Sequence, residues 1–197
     1  MVDAICVELE TRKGELSNQE IETIYFGGGT PSLLTEAELK KILDGIGLNY
    51  TLVSELELSI ETNPDDIHAS NLKSWKKLGF NRLSIGIQSF REKDLKWMNR
   101  AHSSEESKNC LLLARKAGFD NITADLIYGL PDLSISDWDE QLSLLIESGV
   151  DHISAYCLTI EEKTELFFRV RKGDLLPSNE DEQSQQFNHL IQRLKFA

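Results

Sequence analysis

The stretch "ETIYFGGGTPSLLTEAELKKIL" runs from Glu22 to Leu43. A short β-like run ends in three glycines, a Thr-Pro pair follows, and then comes the apolar spacing of an amphipathic helix. Thr35 and Glu38 stand three apart at the head of that helix, the spacing of a capping box. A strand that leaves through bare backbone into a helix is one βα unit, and the rest of the chain repeats it. β-like runs at 22–26, 55–61, 82–88, 121–129 and 151–158 alternate with helix-like runs at 1–13, 35–46, 68–78, 104–117, 136–147 and 180–195. Shorter helical pieces fall near 92–97 and 164–172. Ser103 with Glu106 predicts a second capping box and Ser136 with Asp139 a weaker one. Gly79 and Gly118 predict helix stops.

Alternating strand and helix predicts parallel strands with covering helices. An open doubly wound sheet and a barrel both satisfy that pattern. A doubly wound sheet gathers its ligand groups at one crevice. A barrel gathers them from many strand ends at one rim. Here the first run ends in Gly27–Thr30, the second in Glu61, Thr62 and Asn63, and the third in Gln88 and Ser89. The fourth carries Asp125, and the fifth ends near Cys157 and Thr159. Polar or small groups on five consecutive strands favour the rim of a barrel.

Composition narrows the function. The 197 residues are 40% hydrophobic and 27% charged, which suits one globular domain with a core. A formal net charge of −12 argues against nucleic-acid binding through a basic surface. No apolar run approaches a membrane span, and the first residues lack the pattern of a secretion signal. Cys6, Cys110 and Cys157 form no CxxC pair, so a reducing cytoplasm is the expected compartment.

Each candidate residue has a plain structural alternative. The glycines also suit a tight turn, and Glu61 also suits a solvated strand end. Asp125 is harder to explain structurally, because a carboxylate inside an apolar run is costly without a partner. His68, His102, His152 and His189 share no metal-like spacing and read as surface or capping residues. Cys6 and Cys110 read as core, and Trp75, Trp97 and Trp138 as packing anchors.

Five blocks then carry a resemblance: "YFGGGTPSLL", "ELSIETNPDDI", "LGFNRLSIGIQSF", "MNRAHSSEE" and "AGFDNITADLIYGLP". Together they resemble the radical SAM proteins of the oxygen-independent coproporphyrinogen III oxidase family, most of all its heme chaperone branch. The blocks run in family order over most of residues 20–160. Arg100 to Ser103 and "ISAYCLTIEEKT" (153–164) point to the chaperone branch. The resemblance implies an α/β fold, a partial TIM-type (β/α)6 radical SAM barrel with five of its six strands present. It implies S-adenosyl-L-methionine bound across the rim, its amino-acid end on a 4Fe-4S cluster, and heme or a porphyrinogen as a further ligand. By the same resemblance the glycine turn at Gly28 and Gly29 lets main-chain carbonyls approach the methionine amino group, Thr30 with Pro31 fixes the exit into the next helix, and Glu61 faces that amino group. Arg100 meets the carboxylate, for which a guanidinium suits two oxygens. Gln88 and Asp125 lie near the ribose, whose diol needs donors and acceptors. The fifth strand, around Cys157 to Thr159, lies near the adenine.

One departure stands out. The family's CxxxCxxC cluster loop is absent, and cysteines spaced by 104 and 47 residues cannot replace it. The expectation is a barrel core over 1–197, truncated before the helix that follows the cysteine loop and again before the family's C-terminal region. Such a chain alone is expected to run no radical chemistry. Two further readings stand beside the heme chaperone. One is an oxidase that decarboxylates coproporphyrinogen III through a 5′-deoxyadenosyl radical. The other is an unrelated TIM-type barrel whose glycine loop binds phosphate.

Overall fold

The fold is described from a computed structural model, which covers residues 1–16, 19–195 and 197. Five parallel strands form one sheet: β1 (Ile21–Phe26), β2 (Leu52–Thr62), β3 (Arg82–Gln88), β4 (Asn121–Tyr128) and β5 (His152–Cys157). Their spatial order is β1-β2-β3-β4-β5. The order never reverses, so there is no topological switch point as in a doubly wound sheet. This is the strand arrangement of a partial TIM-type barrel, as the spread of polar strand ends predicted.

The helices are α1 (Val2–Thr11), α2 (Glu36–Asn49), α3 (Ala69–Lys77), α4 (Glu92–Trp97), α5 (Ser104–Lys116), α6 (Ile135–Glu147), α7 (Glu165–Lys172) and α8 (Glu180–Lys195). Sequence boundaries agree with these within a few residues, and β2 begins three residues earlier than expected. The Thr35–Glu38 capping box forms as predicted. The Ser103–Glu106 box forms too: Glu106 N–H donates to Ser103 Oγ at 3.2 Å and Ser103 N–H to Glu106 Oε2 at 2.8 Å. Gly79 and Gly118 follow α3 and α5 at positive φ, as helix stops do.

The third box is a correction. Ser134 and Asp137 cap α6, not Ser136 and Asp139. Asp139 is engaged elsewhere: it accepts from His189 Nε2 at 2.6 Å and from Arg193 Nη1 at 2.5 Å, both on α8.

The chain divides into two compact units. The first holds residues 1–85 and 110–122. Its core collects Leu39, Ile42, Leu58, Ile60, Leu72 and Trp75, with Phe26 edge-on to Phe80 at 5.3 Å. The Lys76 ammonium lies 4.8 Å over the Phe119 ring and donates to Gly118 O. Cys110 is buried here as expected, but Cys6 is only half-buried because α1 buries no residue.

The second unit holds residues 86–109 and 123–197. Trp138 is fully buried at its centre, next to Leu142 and Leu145 of α6. Tyr128 packs between Trp138, at 5.8 Å, and Phe187, at 6.3 Å. Gln186 pins α8 in place. Its Oε1 accepts from Gly129 N–H at 2.7 Å, its Nε2 donates to Leu133 O at 2.7 Å, and its carbonyl accepts from Trp138 Nε1 at 3.0 Å. Trp75 and Trp138 are the predicted anchors, whereas Trp97 is only half-buried and faces a cleft. Among the described residues no helix is long and apolar enough to cross a membrane.

Candidate cofactor-binding site

The first unit carries the glycine turn. β1 pairs with β2 so that Phe26 lies beside Ile60, which brings Gly27 level with Glu61. The Glu61 carboxylate then accepts two bonds, from Tyr25 OH to Oε1 at 2.9 Å and from Gly28 N–H to Oε2 at 2.9 Å. Glu61 and Gly28 are therefore brought together directly. A carboxylate has about four acceptor sites, so this one keeps capacity for a cation.

The glycines are bare for two different reasons. A Cβ on Gly27 would fall 2.6 Å from Tyr25 Cε1 and 2.9 Å from Glu61 Oε1, so the Tyr25–Glu61 pair needs hydrogen there. Gly28 and Gly29 have open space around the Cβ position, but their φ values are +76° and +61°. Backbone conformation selects glycine at those two positions. Gly27 thus belongs to the packing of the turn, and Gly28 and Gly29 leave their outer side open.

Thr30 starts a short 3-10 turn over Pro31–Leu33, with Pro31 in the position where a missing N–H costs nothing. Ser32 Oγ donates to Asp66 Oδ2 at 2.6 Å, which ties the loop after β1 to the loop after β2. Tyr25 is the residue that sequence reasoning passed over. It is 52% exposed, and its signal was the pleat: Phe26 faces the core, so Tyr25 faces away from it.

The second unit carries Gln88, Arg100 and Asp125. Gln88 closes β3 at φ +64°, in the left-handed region, although it is not glycine. Asp125 lies in mid-β4 opposite Ser154 of β5 and is half-buried. It shares its strand face with Ile127, while Ala124 and Leu126 on the other face are fully buried. Arg100 and Ile127 line one cleft of 720 Å³ with Trp97, Met98, Asn99, Leu158, Glu165, Leu166 and Arg169. That volume is in the usual range for small-molecule sites. Its wall is mixed: four aliphatic or aromatic side chains, a thioether, an amide, two guanidinium groups and one carboxylate.

His102 is a correction. It was expected at the surface or as a cap, but it is 3% exposed and its Nε2 lies 3.1 Å from Ile87 O. His68 does cap α3, accepting from Asn71 N–H through Nδ1.

The cysteines do not fit an iron–sulfur cluster. They lie on α1, α5 and β5, and among the described residues no group of three or more His, Cys, Asp or Glu could hold a metal. Burial pushes the Cys110 thiol up to about 12 and also raises that of Cys157, whereas cluster ligation uses thiolates.

Comparison with known proteins agrees with this geometry. The family model of the Radical SAM superfamily matches residues 7–145. The chain is 35% identical over 183 residues to the heme chaperone HemW of Bacillus subtilis (strain 168), covering 92% of this chain and 48% of that protein. It is 37% identical over 157 residues to HemW of Escherichia coli (strain K12), covering 80% of this chain and 42% of that protein. Among solved structures it is similar to coproporphyrinogen III oxidase (HemN) from Escherichia coli, described as a radical SAM enzyme, with a TM-score of 0.83 and 28% identity. That match covers 98% of this chain and 44% of the oxidase. The chain spans about half the length of the curated relatives it matches. Parallel strands in unbroken order, a glycine turn fastened to a strand-end glutamate and the family match together place this chain in the Radical SAM superfamily.

Proposed function

We propose that this chain is the barrel body of a radical SAM heme chaperone. In that role it binds S-adenosyl-L-methionine at its strand ends and takes part in binding and handing on heme. The observation that carries the reading is the Glu61 carboxylate, held by Tyr25 OH and Gly28 N–H beside a turn whose outer side is open. Glu61 accepts the methionine ammonium with its remaining lone pairs, and the carbonyls around Gly28, Gly29 and Thr30 complete the donor–acceptor match. Within the second unit, the groups proposed for a carboxylate and for ribose hydroxyls are Arg100 and the pair Gln88 and Asp125. The bound group would supply one-electron chemistry only with an iron–sulfur cluster, for which the described residues offer no ligand set. Residues 1–197 span about half the length of the curated relatives, and we expect a cytoplasmic setting and no radical reaction from these residues alone. Similarity to HemW over 92% of the chain supports the chaperone branch.

A second reading, oxidative decarboxylation of coproporphyrinogen III, is favoured by the structural likeness to HemN. Two measurements test the pair. Equilibrium dialysis of S-adenosyl-L-methionine should detect binding to the chain, and Glu61→Ala should weaken it about tenfold or more, the loss of a charged hydrogen bond. Equal binding by Glu61→Ala removes Glu61 from the site. In the intact protein, hemin should titrate to a stoichiometric end point while coproporphyrinogen III is left unchanged. Loss of CO2 from coproporphyrinogen III would establish the oxidase instead.

A further inference from the structure

Gln88 sits where a glycine belongs. Its φ is +64°, and Ser89 N–H donates back to Ile87 O at 2.7 Å, which closes a three-residue γ-turn of the rare positive-φ kind. An L-residue pays a conformational penalty there that glycine escapes. The side chain kept at that position is a half-buried amide, able both to donate and to accept. Among the described residues that amide makes no hydrogen bond.

The residues after the turn are fastened by a cluster of hydrogen bonds, although Gln141 Nε2 and Arg91 Nη1 are buried without a hydrogen-bond partner among the described residues. Ser89 is fully buried. Its hydroxyl accepts from Arg91 N–H at 3.0 Å and lies 2.8 Å from both Asp94 Oδ2 and Gln141 Oε1. Gln141 Oε1 also accepts from Phe90 N–H at 2.9 Å. Three successive N–H groups, of Ser89, Phe90 and Arg91, thus find acceptors outside the sheet ladder. Ahead of the turn, Ile87 O takes the Ser89 N–H and also lies 3.1 Å from His102 Nε2. Gln141 and Asp94 are 1% and 4% exposed, so the bonds to these two residues are shielded from water.

We infer that Ser89, Asp94 and Gln141 are positioning residues, which hold Gln88 in a strained γ-turn so that its amide stands ready for a ligand at the end of β3. The inference rests on the proposed role of Gln88 at the ribose for the identity of that ligand. It does not rest on it for the brace. A turn needed only to end a strand would be served by glycine. A turn that must carry an amide at positive φ has to be held there by its surroundings.

The brace is tested by a double-mutant cycle in thermal unfolding on the full chain. Gln88→Gly relieves the turn and should raise Tm by about 2–4 °C. Gln141→Ala frees the turn to relax, so the same glycine should bring no gain in that background. Ser89→Ala provides the cycle if Gln141→Ala does not fold. A Tm that falls on Gln88→Gly, or a gain of equal size in both backgrounds, overturns the brace. The second measurement is calorimetric titration with S-adenosyl-L-homocysteine, which presents the same ribose and needs no cluster. Gln141→Ala touches no ligand in the proposed site, yet it should weaken binding about tenfold. Gln88→Gly should weaken it as much, and the double variant no further. Parent-like affinity in Gln141→Ala overturns the positioning role. If the parent chain binds no S-adenosyl-L-homocysteine while the thermal cycle couples as expected, the ribose assignment falls and the brace stands.

Discussion

The ends of β1 and β3 make an instructive pair. Both turn the chain through positive φ, at Gly28 (+76°) and at Gln88 (+64°). The β1 turn uses glycine, and its Gly28 N–H donates to the half-buried Glu61, which also accepts from Tyr25 OH. The β3 turn uses glutamine and is fastened by a buried network of Ser89, Asp94, Gln141 and His102. Where backbone alone is wanted, glycine removes the strain and little support is needed. Where a side chain is wanted at the same φ, the strain remains and the surroundings have to hold it.

The largest effect that would sharpen this contrast is at Gly28. Gly28→Val puts a β-branched residue at φ +76° and should cost about 1–2 kcal/mol, read as the midpoint shift in urea. Gly28→Asn should cost clearly less, because asparagine tolerates the left-handed region. Equal losses would mean that side-chain bulk, not φ, sets the requirement, although the site around that Cβ is open.

A smaller effect probes the β3 brace through pH. Burial raises the Asp94 carboxyl above its ordinary value of 3.8, the Ser89 bond and the Arg91 guanidinium at 3.4 Å oppose that rise, and Asp137 adds to it. The folded state therefore holds this proton more tightly than the unfolded state. Stability is fullest below the unfolded value and falls as pH climbs from 3.8 through the raised folded value. Asp94→Asn removes that titration. The difference in Tm between Asp94→Asn and the parent should move in favour of the variant as pH rises through that window. A difference that is flat with pH would mean that Asp94 is ionised in the brace without a burial penalty.

The smallest effect belongs to the β1 turn. Tyr25→Phe deletes one bond from an exposed hydroxyl to Glu61, at 2.9 Å. The expected loss is about 0.5 kcal/mol in urea unfolding. A loss several times larger would make the Tyr25–Glu61 pair a true clamp and erase the contrast with β3.

Much of this architecture is legible along the chain because its signals are local. Thr35 and Glu38 cap α2 from three residues apart. Gly28 and Gly29 mark the turn, and the alternation of β- and α-like runs predicts parallel strands. Within the candidate site, the Glu61–Gly28 bond joins two residues that the sequence singled out separately. Tyr25, His102 and Gln141 were missed as members of either turn. Their partners lie 36, 15 and 52 residues away, at Glu61, Ile87 and Ser89. Nothing in their immediate neighbours predicts such partners. The backbone at Gln88 was equally hidden, since glutamine carries no preference for φ +64°.

Residue spacing alone determined the order of elements, the glycine turn after β1 and the capping of α2 and α5. These depend on side chains and backbone groups within a few residues of each other, so tertiary context had little to add. The start of α6 is the opposite case. "SISDWD" (134–139) contains two overlapping capping boxes of nearly equal quality, and local chemistry cannot choose between them. The choice falls to Ser134 and Asp137 in a fold where the Asp139 carboxylate meets His189 and Arg193, fifty and fifty-four residues further along. The positive φ of Gln88 was decided in the same way, by buried hydrogen bonds that exist only once α4, α6 and the end of β3 have packed together.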